Sequence, residues 1–190
     1  MAEFLTDIKE IRARAREEID KGPITAAYGA DLPRVIQVCN EALATEIVCV
    51  LRYKRHYYTA TGIHAGTVAA EFLEHAAEEQ EHADRIAQRI VQLGGEPDFN
   101  PSTLTTRAHA EYDDSLDLIE MVKEDLVAER IAIASYTEIV KWLGDGDVTT
   151  RRIFEDLLAQ EEEHADDLKN LLERLPGALG ADRPEPGVAP

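Results

Sequence analysis

Cysteine is scarce in this chain of 190 residues: two are present, Cys39 and Cys49. Ten residues apart on one helix, they would stand ~15 Å apart along the axis, beyond the reach of a disulfide. Both therefore read as small buried hydrophobes, which excludes a disulfide-stapled scaffold and a four-thiolate metal site. Basic residues are the second shortage, with 20 Lys+Arg against 38 Asp+Glu and a formal net charge of -18. A sequence-independent nucleic-acid binder needs the opposite balance, so DNA binding is disfavoured. Arg12, Arg14 and Arg16 do not change this, because Glu10, Glu17, Glu18 and Asp20 surround them. An acidic field concentrates cations instead. No uninterrupted apolar run approaches the ~20 residues of a membrane span. The opening residues, MAEFLTDIKEIRARAREE, have no apolar stretch of the secretory kind. A cytoplasmic, reducing setting and no membrane partner are the expectation.

Strand-like alternation is nearly missing too, and helical periodicity takes its place. Residues 3–20 read as a short amphipathic helix that ends at Lys21-Gly22-Pro23. Four long helices follow: Pro33 to about Tyr58, Thr67 to Gly94-Gly95, Asp114-Ser115 to just before Gly144, and Asp147 to just before Pro176-Gly177. The connection from Gly94 to Asp114 is long, and a short helix is expected near Thr106 to Tyr112. The domain plan is thus a helical extension over 1–30, a four-helix domain over 31–175 and a flexible Pro/Gly-rich tail over 176–190.

Each long helix carries an apolar stripe at three- and four-residue steps, and each stripe is broken at its middle by an acidic residue. The first reads Ile36, Cys39, Leu43, Glu46, Val50, Tyr53, Tyr57. The second reads Phe72, Ala76, Glu79, His82, Ile86, Ile90, Leu93. The third reads Ile119, Val122, Leu126, Glu129, Ile133, Tyr136, Val140, Leu143, and the fourth Phe154, Leu157, Glu161, His164, Leu168, Leu171, Leu175. A carboxylate facing a bundle core is costly unless something compensates it. Four of them, with two histidines one turn along, require a common cause.

An internal repeat supplies one. EHAD at 81–84 recurs at 163–166, and EEQEHADRI aligns with QEEEHADDL; the first and third helices align with Glu46 over Glu129 and Tyr53 over Tyr136. Two copies of a helix pair, packed face to face, would place two equivalent residue sets about a pseudo-twofold axis. Positions i and i+3 are neighbours on a helix, so Glu79 with His82, and Glu161 with His164, can each reach one metal. Four carboxylates and two imidazoles make a hard site suited to iron, with manganese the alternative. This is the donor set of ferritin-like di-iron and di-manganese bundles.

On those residues the stretch from Pro33 to Leu175 resembles bacterioferritins and the bacterioferritin-like Dps-like proteins. The resemblance implies an all-α, ferritin-like four-helix bundle with a long connection between its second and third helices and an additional short N-terminal helix. It implies a ferroxidase centre in which Glu79 and Glu161 bridge two irons, Glu46 and Glu129 are terminal ligands, and His82 and His164 each cap one metal. Tyr53, seven residues after Glu46, matches a tyrosine that could donate an electron as O2 or H2O2 oxidises Fe(II). Iron would then mineralise inside a hollow homo-oligomer. Gln80 stands where bacterioferritins carry the methionine that binds haem, so haem is not expected. The tail, with Pro176, Pro184, Pro186 and Pro190 opposing a fifth helix, disfavours the 24-mer cage, and the long connection and the additional N-terminal helix favour a 12-mer.

Rival readings are a non-storing di-iron oxidase or rubrerythrin-like peroxidase, a di-manganese catalase and a DNA-protecting Dps-type stress protein. The remaining polar and aromatic residues carry blander expectations. Glu78, Glu81, Glu162 and Glu163 read as solvated, His56, His64 and His109 as exposed, and Trp142 as core. His75 reads as a satisfied histidine rather than a third iron ligand, and Tyr136 as packing. Cys49, one turn from Glu46, is the thiol nearest the expected centre.

Overall fold

The computed structural model describes residues 7–17 and 19–178. Among these the elements are all helical: α1 (Ile8–Arg14), α2 (Leu32–Thr59), α3 (Ala65–Gln92), α4 (Leu104–Arg107), α5 (Leu118–Leu143) and α6 (Val148–Arg174), with one 3-10 turn at Ile19–Lys21. The starts follow local chemistry. Asp31 accepts from the Arg34 amide ahead of α2, Asp117 from Ile119 and Glu120 ahead of α5, and Asp147 from Thr150 ahead of α6. The Asp117 cap sets the start of α5 later than Asp114-Ser115. Gly144, at φ +48°, closes its other end.

The long helices pack as two hairpins, α2 with α3 and α5 with α6, and the hairpins face each other. Glu46 meets Tyr136 while Tyr53 meets Glu129, so α2 and α5 run antiparallel. One apolar cluster, with Leu43, Ile86, Ile90, Phe154 and Leu157, fills one end of the bundle. A second, with Tyr53, Phe72, Met121, Leu168 and Leu172, fills the other. The candidate metal residues sit between the two.

The connection from α3 to α5 crosses the outer face of α2. Asn40 holds it by accepting from the Asp98 amide at 2.7 Å and donating to the Glu96 carbonyl at 3.2 Å. Arg107 reaches the carbonyls of Asn40 and Asp98, and Leu104 packs on Ala44 and Val48. These contacts place the short helix at Leu104–Arg107 instead of Thr106 to Tyr112.

Three further expectations change. Among the described residues the N-terminal helix spans Ile8–Arg14 and buries no side chain, with the Asp7 side chain capping its start. Residues 3–6 and 18 of its expected span lie outside the described residues, as does the tail from 179. The inward face of α5 is Val122, Asp125, Glu129, Ala132, Tyr136, Ile139 and Leu143. Leu126, Ile133 and Val140 are only partly buried, because α5 is apolar over more than half its circumference and the small Ala128 and Ala132 take the close-packed side. Trp142, expected in the core, is 47% exposed for the same reason: Leu143 points inward beside it.

Candidate metal centre

Glu46, Glu79, His82, Glu129, Glu161 and His164 are all buried at mid-bundle. The structure brings them together as two overlapping groups whose ligand atoms lie within 4.8 Å of one another. One is Glu46, Glu79, His82 and Glu161; the other is Glu79, Glu129, Glu161 and His164. Glu79 and Glu161 belong to both. The helix register causes this: α2 and α5 each deliver one carboxylate, and α3 and α6 each deliver a carboxylate and an imidazole one turn apart.

His82 Nδ1 lies 3.0 Å from Glu161, 3.5 Å from Glu46 and 3.8 Å from Glu79. His164 Nδ1 lies 3.2 Å from Glu79, 3.4 Å from Glu161 and 3.9 Å from Glu129. The two rings are 5.8 Å apart and nearly parallel. Despite this crowding, Glu79 Oε1, both Glu161 oxygens, both His82 nitrogens and His164 Nδ1 make no well-formed hydrogen bond. Buried polar atoms without partners are rare in folded proteins. Donors that converge without bonding each other fit a pair of divalent cations, whose four positive charges would match the four carboxylates.

Among the protein groups alone, the cluster is strained electrostatically. Burial pushes the Glu46 and Glu129 carboxyls well above the usual range, and the neighbouring Glu79 and Glu161 push them further. Burial would raise Glu79 as well, but the close approach of Glu46, His164 and His82 outweighs it and holds Glu79 well below the usual value. For His164, burial opposes the charge, yet Glu161 and Glu79 raise it to about 11. His82 is raised too, against burial, by Glu161, Glu46 and Glu79.

A stability prediction follows. The folded chain holds the His164 proton far more tightly than an unfolded chain, where imidazole titrates near ~6.5. That stabilisation is complete below pH ~6.5 and lost as pH rises through about 11. The metal-free protein should therefore melt at progressively lower temperature across this window, and loading with metal should flatten the slope, because the metal takes the protons' place. Thermal melts at several pH values test this; equal slopes with and without metal would contradict it.

Residues 36–178 match the ferritin-like domain family. The chain belongs to that family. The bacterioferritin of Brucella melitensis biotype 1 is 32% identical over 152 residues, covering 80% of this chain and 89% of the relative. Among solved structures, the bacterioferritin-related protein of Bacteroides fragilis, described as a dodecameric thioferritin, superposes with a TM-score of 0.73 at 34% identity. It covers 76% of this chain and 87% of its own. The Desulfovibrio desulfuricans bacterioferritin, whose diiron site has been described in several catalytic states, gives a TM-score of 0.67 at 26% identity, over 76% and 82% of the two chains.

In this ferritin-like protein the surroundings of the centre show partners that sequence reasoning had not assigned. Tyr53 donates to Glu129, and Tyr136 donates to Glu46, each tyrosine reaching the carboxylate of the opposite helix. Glu78, expected in solvent, is partly buried and lies 2.8 Å from His164 Nε2. A carboxylate there turns His164 Nδ1 toward the centre, the usual outer partner of a metal-ligating histidine. The repeat carried a signal, since Glu78 aligns with Gln160, which contacts Arg85 instead. His82 Nε2 accordingly has no such partner, so the two halves of the centre are unequal.

His56 is fully buried rather than exposed, 2.9 Å from Asp125, which also takes the Arg52 Nε at 2.9 Å. No local spacing connects α2 to Asp125 on α5, so the sequence carried no sign of it. His64 and His109 are exposed, and so are Glu81, Glu162 and Glu163. Cys39 and Cys49 are free and buried, and burial lifts the Cys39 thiol to about 12. Neither is poised as a thiolate.

Proposed function

We propose that this protein oxidises Fe(II) at the buried centre and stores the product in a hollow homo-oligomer. The observation that carries the reading is the convergence of four carboxylates and two imidazoles, with unpartnered ligand atoms, in two groups that share Glu79 and Glu161. Glu46 and His82 would hold one iron and Glu129 and His164 the other, with Glu79 and Glu161 between them. Iron is the substrate, and O2 or H2O2 takes its electrons. The protein contributes placement, since holding two irons together makes a multi-electron step intramolecular. Glu78 keeps His164 aimed inward, and Tyr136 and Tyr53 steady the outer carboxylates. Tyr53 is also the expected electron donor. Gln80, next to Glu79, offers a haem no sulfur ligand; its amide donates to Asp84.

The long connection laid across α2 and the thioferritin relative favour a 12-subunit shell over 24. Among the described residues no helix is long and apolar enough to cross a membrane, and a cytoplasmic setting belongs to the same proposal. The net charge of -18 speaks against a DNA-binding role. Aerobic Fe(II) loading followed by size exclusion, with iron and protein counted in one peak, tests the reading. Hundreds of irons per large particle are expected. Saturation at about two per subunit would replace storage with a non-storing oxidase.

A further inference from the structure

The N-terminal helix leaves its apolar side in water. Ile8 and Ile11, one turn apart on α1, are 55% and 44% exposed, and Ala15 continues the same face. Helices shorter than ~12–15 residues are marginal in water without tertiary packing, and α1 has seven. The chain below it is ordered by short-range bonds: the Gly22 amide donates to the Ile19 carbonyl at 3.4 Å, and the Ile24 amide to that of Lys21 at 3.2 Å. Ile24 and Tyr28 then anchor the chain on the core. The turn thus holds α1 out as an arm, with every residue from Asp7 to Glu17 exposed.

A matching gap lies between the start of α2 and the end of α5, a groove of about 390 Å3. Buried Val38 and Ile139 line it beside the half-exposed Trp142, and Arg34, Glu41 and Glu138 complete it. We propose that this groove receives α1 of a second copy of the chain, the two copies exchanging their arms reciprocally. The place of departure fits. The Gly29 amide donates to the Gly146 carbonyl at 3.1 Å and the Tyr28 hydroxyl to Asp147 at 3.0 Å, just beyond the α5 terminus that carries Trp142. Arm and groove therefore share one end of the bundle, and a twofold axis beside that end brings each arm to the other copy's groove. The charges fit as well. Lys9, Arg12 and Arg14 on α1 stand against Glu10 alone, whereas Glu41 and Glu138 outnumber Arg34 in the groove. Two chains of net charge -18 repel each other, and a cationic arm laid on an acidic groove offsets that repulsion. Ile8 and Ile11 supply the aliphatic surface that covers Trp142.

The exchange rests on the homo-oligomeric part of the functional reading and not on the metal centre. Trp142 is the chain's one tryptophan, so its emission reports on the groove, bluer when covered and redder when open to water. Deleting residues 1–21, or changing Ile8→Ser with Ile11→Ser in the full chain, should shift that emission to the red. Both variants should oxidise Fe(II) at the parent rate. Co-expressing the deletion with Trp142→Phe, and isolating mixed particles through two different tags, decides which copy supplies the arm. There the tryptophan and α1 sit on different chains, so a return to blue emission is expected from an exchanged arm. Mixed particles that stay red while the full chain is blue would place α1 on its own groove and overturn the exchange. Emission unmoved by either variant would overturn it too, and in a large iron-filled particle would leave the storage reading standing. Restored emission in a particle that saturates at about two irons per subunit would support the exchange while refuting storage.

Discussion

Glu79→Gln is expected to slow Fe(II) oxidation by more than ~100-fold while leaving a folded, helical protein. Loss of an outer-shell partner alone costs ~10–100-fold at metal sites, and Glu79 belongs to both ligand groups at once. It is also the carboxylate that its neighbours hold ionised, within 3.2 Å of His164 and 3.8 Å of His82. The amide keeps the shape but removes that charge, so the proton affinity of both histidines should fall. The pH slope of the metal-free protein should become shallower in the same variant. Stopped-flow absorbance of Fe(III) formation and circular dichroism provide the two readouts. Glu81→Gln, on the exposed side of α3, is the matched control and should oxidise iron at the parent rate. Parent-like oxidation by Glu79→Gln would remove Glu79 from the centre.

Asp125→Ala should be the most destabilising single change outside the centre. Asp125 is fully buried and faces the Arg52 Nε and His56 Nδ1, each at 2.9 Å. Truncation leaves the Arg52 guanidinium buried without its counter-charge, a situation that costs roughly 3–5 kcal/mol. For a chain of this length that corresponds to a fall of about 10 °C in melting temperature. Some compensation remains, because Arg52 also donates to the carbonyls of Glu111 and Glu124 at 2.7 Å each. Those bonds tie the long connection and α5 to α2, so the loss should spread to the connection and raise amide exchange there. Well below melting, iron oxidation should persist, since Glu129 stands one turn further along α5. A melting temperature within about 2 °C of the parent, less than a ~1 kcal/mol change, would show that Arg52 regains water when Asp125 is removed.

The residues that sequence reading reached share one property: their relations are local to a helix. Glu79 with His82 and Glu161 with His164 are i,i+3 pairs, and Glu46 and Glu129 interrupt apolar stripes whose period is set by the backbone. The repeat then aligned the halves. Reading failed where two faces of a helix were equally apolar. On α5 the stripe through Leu126 and Ile133 and the one through Ala128 and Ala132 differ mainly in side-chain size. Only packing against the neighbouring helices chooses between them, and Trp142 went outward with that choice.

By itself, then, the sequence determined an all-helical chain of two related helix pairs, and six candidate donors at spacings that a helix places on its inner face. Periodicity and cap residues act within a few residues, so no partner is needed to read them. The tertiary structure alone decided the rest. It joined Tyr53 to Glu129 and Tyr136 to Glu46, set Glu78 behind His164, buried His56 against Asp125, and turned His75 toward Glu71 and Asp167. These partners lie on different helices, and which atoms meet depends on the register and separation of the packed helices, quantities that no local pattern encodes.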